Sequence, residues 1–168
     1  IDIMLSMDVS TSMLAQDLKP NRIEAAKNVA AEFISDRESD NIGLTIFAGE
    51  AFTQCPMTTD HQSLLNMLMD VRTDLAERGL IQDGTAIGMG LANAVARLKD
   101  SKTKSKVVIL LTDGSNNMGD ISPLTAAQIA KSYGIRVYTI AIGSKSLAPY
   151  PVNVAGSVRY VNLRADID

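Results

Sequence analysis

The length, composition and charge of the chain limit the classes of protein to consider. Its 168 residues suffice for one domain, and 46% hydrophobic with 21% charged residues is ordinary for a globular protein. A net charge of −3 provides no basic field, so nucleic acid is a poor candidate partner. The single cysteine, Cys55, cannot form an internal disulfide, and we expect it to be a small buried apolar residue.

No membrane-spanning segment and no signal peptide is visible in the sequence. No run approaches the roughly 20 apolar residues that a membrane helix needs. The chain starts directly on a predicted strand at Ile1 and stops at Asp168, where a helix cap would normally be followed by a helix. We therefore expect residues 1–168 to form a single domain that is a piece of a longer protein.

Predicted strands and helices alternate along the first half of the chain. Strand one runs to Met7, and Asn21 with Glu24 has the spacing of a capping box that starts a helix. The apolar residues of this helix recur at helical spacing, at Ile23, Ala26, Ala30, Phe33 and Ile34. The turn Gly49-Glu50 between two β-rich runs is a hairpin signal, which predicts that the third strand is antiparallel to its neighbour.

The alternation continues in the second half of the chain. The signals in chain order are a cap at Thr59 and Gln62, a helix after Thr85, a buried strand at 107–111, a cap at Ser122-Pro123, a buried strand at 135–142 and a last strand at 158–163. We expect this last strand to be half of a hairpin. This order predicts an α/β fold that is Rossmann-like and doubly wound. Its sheet is expected to be mostly parallel, with one antiparallel edge strand and helices on both faces.

Oxygen-bearing side chains follow the predicted strands at one edge of the sheet. Asp8, Ser10 and Ser12 alternate directly after strand one. Asp113 follows the long aliphatic strand, and Thr85 lies where a loop enters a helix. Ligands of such sheets bind beyond the carboxyl ends of the strands, so we expect these side chains to converge on one cation. Mg²⁺ prefers about six oxygen ligands at roughly 2.1 Å and is the expected ion, with Mn²⁺ or Ca²⁺ as alternatives.

The charge of this residue set favours an external anionic ligand. Two carboxylates and three neutral hydroxyls only just neutralise a divalent ion, so an Asp or Glu of a partner protein would be attracted to an open position. The lack of a His and Cys cluster disfavours zinc. Each motif alone also fits a simple turn or a helix cap, and only their order at successive strand ends indicates a site.

The run Asp8-x-Ser10-x-Ser12 with the later Thr85 and Asp113 resembles the metal-ion-dependent adhesion site (MIDAS) of von Willebrand factor A domains. The resemblance implies that Ser10 and Ser12 bind the metal directly. It implies that Thr85 binds directly or through water, and that the two aspartates act through water. The resemblance implies that the family fold continues with a further helix, a strand and a final helix, none of which we expect within residues 1–168.

A narrower resemblance covers essentially the whole chain. The chain is similar to the bacterial aerotolerance (Bat) group of these domains in segments 42–44, 47–56, 58–61, 83–88 and 111–117. At Thr11, where glycine is common, the side chain is expected to point away from the metal. Bat proteins are membrane-anchored and encoded near MoxR-type AAA+ ATPases. The resemblance therefore implies a bacterial inner-membrane parent, with the periplasmic side favoured, and a MoxR-type ATPase or another Bat protein as partner.

Alternatives to a non-enzymatic, metal-dependent interaction module remain open. A Mg²⁺-dependent phosphatase would also place Asp8 after strand one, but it needs a second acid where this chain has Ser10. A serine hydrolase would need His61 as its base, and no nucleophile elbow is present; His61 is interpreted as a surface or capping residue. A scaffold whose metal only stabilises its loops would need no partner.

The remaining polar and glycine residues receive no role in the site. Gly84, Gly88 and Gly90 lack the spacing of a dinucleotide-binding loop and predict close packing of a helix on the sheet. The other acidic residues, Asp17 among them, are expected on solvated faces and caps. Asn116 and Asn117 follow the metal loop and are expected either to shape the partner surface or to form a turn.

Overall fold

One sheet organises the computed structural model, which describes residues 1–72, 82–114, 121–143 and the short strand at 160–161. The strands are β1 (Asp2–Asp8), β2 (Asn41–Phe47), β3 (Ala51–Thr58), β4 (Lys106–Thr112), β5 (Ile135–Ala141) and β6 (Tyr160–Val161). The α-helices of the described residues are α1 (Arg22–Ser35), α2 (His61–Met69), α3 (Ile87–Leu98) and α4 (Pro123–Ser132).

The strand order is β3-β2-β1-β4-β5-β6 within the described part of the chain. All neighbouring pairs are parallel except β2 and β3, which form the predicted antiparallel hairpin at one edge. β6 pairs in parallel with β5, and a hairpin partner for the predicted last strand would lie outside the described residues. The rest of the predicted strand at 158–163 and the two asparagines at 116 and 117 lie outside the described residues.

Helices cover both faces of the sheet because successive side chains of a strand point to opposite sides. On one face, Ile3 and Leu5 of β1 pack with Ile23 of α1 and Leu64 of α2. On the other face, Met4 of β1 belongs to a second cluster, with residues of α3 and α4. The aliphatic runs of the central strands are therefore buried on both sides, and the predicted fold class is confirmed.

The caps that were predicted from sequence are correct for two of three helices. Asn21 accepts a hydrogen bond from the backbone N of Glu24 at 2.9 Å at the start of α1. Ser122 likewise accepts from Thr125 N at 3.1 Å at the start of α4. The prediction for α2 is wrong, because its N-cap is Asp60 rather than the preceding threonine. A carboxylate is the stronger acceptor for the free N–H groups of a first turn.

Close packing explains Gly88 and Gly90 of α3, as predicted, whereas Gly84 lies in the loop before α3 with a φ of 124°. A Cβ atom on Gly90 would lie 2.5 Å from Cδ1 of the buried Phe47 in β2. A Cβ atom on Gly88 would overlap the backbone carbonyl of Ile121, just before α4. These two positions let α3 lie directly against the sheet and against the segment that starts α4.

His61 and a groove lie at the amino-terminal edge of the parallel strands, opposite the edge of the predicted site. His61 starts α2, and its Nε2 lies 2.6 Å from the carbonyl oxygen of Asp40, just before β2. A groove of about 440 Å³ lies beside α1, with Phe33, Arg37 and Tyr138 among its lining residues. None of the described helices is long and apolar enough to cross a membrane.

Candidate metal centre

Neighbouring parallel strands bring the predicted site residues to one edge of the sheet. Asp8 is the last residue of β1, and Asp113 directly follows the last residue of β4. Because β1 and β4 pair in parallel, their carboxyl ends lie side by side. Ser10 and Ser12 follow Asp8, and Ser12 belongs to a short 3-10 helix, Thr11–Leu14.

A continuous line of hydrogen bonds joins four of the five predicted residues. The Ser10 hydroxyl donates to Asp8 Oδ1 at 2.6 Å, and its backbone N donates to the same oxygen at 2.9 Å. The hydroxyls of Ser10 and Ser12 are 3.0 Å apart. The Ser12 hydroxyl donates to Asp113 Oδ1 at 3.0 Å, so hydroxyl groups bridge the two carboxylates.

The fifth predicted residue, Thr85, is buried in the loop before α3 at the same edge. The next residue, Ala86, donates its backbone N–H to the carbonyl of Ala48, just beyond β2, at 2.7 Å. Two residues before Thr85, Asp83 accepts hydrogen bonds from the backbone N of Thr11 at 3.2 Å and from the Thr11 hydroxyl at 2.9 Å. The loop that carries Thr85 is therefore tied directly to the loop of the two serines.

Thr11 and Asp83 hold the two loops together. The Thr11 hydroxyl donates to Asp83, away from the oxygens of the two site carboxylates, as expected for the position where glycine is common. Burial alone would raise the pKa of Asp83, but the hydrogen bonds from Thr11 and Gly84 hold that pKa below its usual value. Asp83 is thus an anionic clamp between the loops, a role not predicted from sequence.

Burial sets the electrostatics of Asp8, whose side chain is fully enclosed. Desolvation raises the pKa of this carboxyl from 3.8 to about 6, and the charge of Asp113 adds to the rise. Hydrogen bonds from Ser10 and Thr112 oppose it. Two carboxylates facing each other across hydroxyl groups at a buried strand end form a site where a cation relieves unfavourable charge.

The donor set fits a hard divalent cation. Every polar side-chain atom of the five residues is an oxygen, the donor type that Mg²⁺, Mn²⁺ and Ca²⁺ select. Asp8 and Ser10 are buried whereas Ser12 is exposed, so the cluster is closed towards the core and open towards solvent. An ion held there would have protein oxygens on one side and an accessible position on the other.

Two residues that contact the centre, and a third that contacts one of them, were not predicted as part of the site. Thr112 donates its hydroxyl to Asp8 Oδ2 at 2.7 Å. Arg22 donates to Asp113 Oδ2 at 2.9 Å and is held in turn by Asp17. Asp17 is exposed, as expected of a residue on a solvated face, and it also forms an ion pair with Arg22. A signal was available, because a cation at the first position of a helix opposes the helix dipole and therefore indicates an acidic partner.

The fold and the site define an α/β domain with an oxygen-lined centre at the carboxyl edge of its sheet. The sequence profile of the von Willebrand factor type A domain matches residues 2–156, and the chain belongs to this family. Within it, the structure is similar to an aerotolerance-related membrane protein of Bacteroides fragilis, with a TM-score of 0.78 and 34% identity over 98% of this chain and 77% of that one.

A second Bat structure is equally similar. For the protein BatB of Bacteroides thetaiotaomicron the TM-score is 0.77 and the identity 33%, over 96% of this chain and 75% of that one. A proximal thread matrix protein of the mussel byssus, solved with a zinc-occupied MIDAS motif, has a TM-score of 0.71 and 27% identity over 83% of this chain and 35% of that one. In that protein the MIDAS motif is occupied by zinc, the ion that the sequence argument disfavoured here.

Curated relatives at similar identity are longer than this chain. An uncharacterised protein of Borreliella burgdorferi is 35% identical over 144 residues, which are 85% of this chain and 41% of the relative. A UPF0353 protein of Mycolicibacterium paratuberculosis is 33% identical over 156 residues, 85% of this chain and 45% of the relative. The chain thus spans less than half the length of these relatives.

Proposed function

We propose that this chain is a single, non-enzymatic interaction domain that uses a divalent cation to bind an acidic group of a partner protein. Ser10, Ser12 and Thr85 are the hydroxyl ligands, and Asp8 and Asp113 act through water. The observation that carries the proposal is the line of hydrogen bonds from Asp8 through both serines to Asp113 at a solvent-open sheet edge.

The preferred ion is Mg²⁺, with Mn²⁺ or Ca²⁺ as alternatives. Support comes from the all-oxygen donor set and from its low charge, which leaves a bound ion short of negative ligands. The zinc-occupied MIDAS of the byssus protein supports occupancy of the corresponding site by a divalent ion and adds zinc to the ions to be compared.

The partner supplies an Asp or Glu side chain at the open position of the ion. Other Bat proteins are the first candidates, since two Bat structures are similar to this one. A MoxR-type ATPase is the second candidate, from family context. The whole protein is proposed to reside in the bacterial inner membrane with this domain on the periplasmic side; the membrane-protein neighbour supports the membrane association alone.

The central experiment is capture of partners by the full-length protein in Mg²⁺ and in chelator. We expect capture in Mg²⁺ that is lost with EDTA and in Ser10→Ala or Asp113→Ala. Matched controls are Ser35→Ala, which removes a hydroxyl bonded to Ala31, and Asp40→Ala, which breaks an ion pair at the opposite edge. Capture that is unchanged by EDTA and by both site variants would overturn the proposed function and leave a purely structural metal.

An assay for phosphatase activity tests the assignment of this domain as non-enzymatic. The position of the expected general acid is Ser10, whose hydroxyl donates to Asp8 instead of standing free to protonate a leaving group. We expect no turnover of p-nitrophenyl phosphate with Mg²⁺. Turnover that disappears in Asp8→Asn would contradict this assignment.

A further inference from the structure

The guanidinium of Arg22 is built into the metal centre. Its Nη1 donates to Asp113 Oδ2 at 2.9 Å, while its Nε and Nη2 donate to the two oxygens of Asp17 at 2.7 and 2.8 Å. The Asp113 side chain is 1% exposed and that of Arg22 is 24% exposed. The hydrogen bonds to Asp17 and Asp113 raise the pKa of Arg22, so this side chain remains a cation.

The two oxygens of Asp113 have different partners. Oδ1 accepts from the Ser12 hydroxyl within the cluster, and Oδ2 accepts from Arg22 behind it. Arg22 therefore places a fixed positive charge one carboxylate away from the position of the cation. A charge so close repels a divalent ion, and the partial burial of the pair limits screening by solvent.

Two effects of Arg22 on metal binding oppose each other. Holding Asp113 in place favours binding, whereas the positive charge disfavours it. The holding effect is partly redundant, because Ser12 fixes the other oxygen of Asp113. The charge effect is reduced by the carboxylate of Asp17, which accepts two hydrogen bonds from Arg22, but it is not abolished, and we take it as the larger of the two.

We propose that Arg22 lowers the affinity of the centre for its divalent cation, and that Asp17 counteracts Arg22. The inference rests on the proposed function, because it assigns a role to the charge beside the same metal centre. The pair sets the net charge of the centre without ligating the ion, so the metal occupancy of the protein depends on a residue outside the five ligands.

Substituting each partner of the Arg22–Asp17 ion pair in turn distinguishes an effect of the Arg22 charge on metal affinity from an effect of holding Asp113 in place. Arg22→Gln removes the guanidinium charge, and we expect this variant to bind Mg²⁺ and Mn²⁺ at least about tenfold more tightly than the parent protein. The measurement is a calorimetric titration with the metal alone. Asp17→Asn keeps the cation and removes its counter-charge, so it should bind the metal more weakly. If the pair were only a structural clamp, both variants would change metal affinity in the same direction.

The control variants use another Arg–Asp pair of the described residues, Arg37 and Asp40. Arg37→Gln changes the net charge as Arg22→Gln does, but it breaks the pair with Asp40 at the opposite edge. It should leave metal affinity unchanged, and Arg22→Lys should stay near the parent value. The difference between Arg22→Gln and the parent should shrink in high salt, which a loss of scaffolding would not do.

The outcomes separate the two proposals. If the parent protein binds no divalent metal, the proposed function fails and this inference fails with it. If the parent binds metal but Arg22→Gln binds it equally or more weakly while its melting temperature shows a folded protein, only the role of Arg22 is overturned. Should Arg22→Gln not fold, the weaker binding expected of Asp17→Asn remains decisive, and equal or tighter binding there would overturn the role.

Discussion

Asp8 is a buried carboxyl group whose folded-state pKa of about 6 lies above its ordinary value of 3.8. In the metal-free protein, both the folded and the unfolded state carry the proton below that ordinary value. As the pH rises towards 6, the unfolded state loses its proton first, so the folded state loses relative stability. The contribution of Asp8 to stability is therefore greatest in acid and falls by about 3 kcal/mol towards neutral pH.

The variant Asp8→Asn tests this pH dependence. Asparagine stays neutral, so the variant should gain stability relative to the parent as the pH rises from 4 to 6, and the gain should then level off. The measurement is the free energy of unfolding by urea, in EDTA, for both proteins across this range. Parallel curves would show that Asp8 does not titrate in this window.

The residues of the centre differ in how readily the sequence reveals them. Asp8, Ser10 and Ser12 could be predicted, because alternation after a strand aims side chains at one point and parallel strands end at one edge. Arg22 could not be predicted with its partner, since the bond to Asp113 joins positions 91 residues apart. Only the placement of α1 on the sheet brings these two side chains together.

Helix α3 depends on glycine where it meets the segment before α4. A methyl group on Gly88 would overlap the backbone carbonyl of Ile121, and backbone cannot rotate away as a side chain can. The intrinsic gain of about 1 kcal/mol from alanine in a helix is smaller than the cost of moving α4. We expect Gly88→Ala to destabilise the protein by about 2 kcal/mol or more.

The measurement is the free energy of unfolding of Gly88→Ala by urea, with Gly114→Ala as the matched control. A Cβ atom on Gly114 meets no atom within 4 Å, so its substitution should change stability by less than about 0.5 kcal/mol. Equal stability of the parent and Gly88→Ala would mean that the α3–α4 contact is looser than described.

Helix starts show why element boundaries are harder to predict than elements. Asn21 and Ser122 are followed at once by helical periodicity, and both are caps. Before α2, Thr59 and Asp60 stand together, and local spacing does not rank them. The structure selects Asp60, which accepts bonds from both the backbone N and the hydroxyl of Ser63 at 3.2 and 2.7 Å.

Metal binding should stabilise the whole molecule, because the centre joins β1, β4 and the loop before α3. An ion that binds only the folded state adds about 2.7 kcal/mol at a hundredfold excess over its dissociation constant. For a chain of this size we expect a rise in melting temperature of about 5 °C or more. Ser10→Ala should abolish the rise and Ser35→Ala should retain it; an equal rise in both would place the ion elsewhere.

Helix α1 connects the two edges of the sheet. Its first residue, Arg22, is held by the carboxylate of Asp113, and Phe33 in its last turn lines the groove at the other edge. Its 14 residues make a rod of about 20 Å. A ligand in the groove and an ion at the centre would therefore lie at opposite ends of one helix, so a rigid shift of α1 at one end would also move residues at the other end.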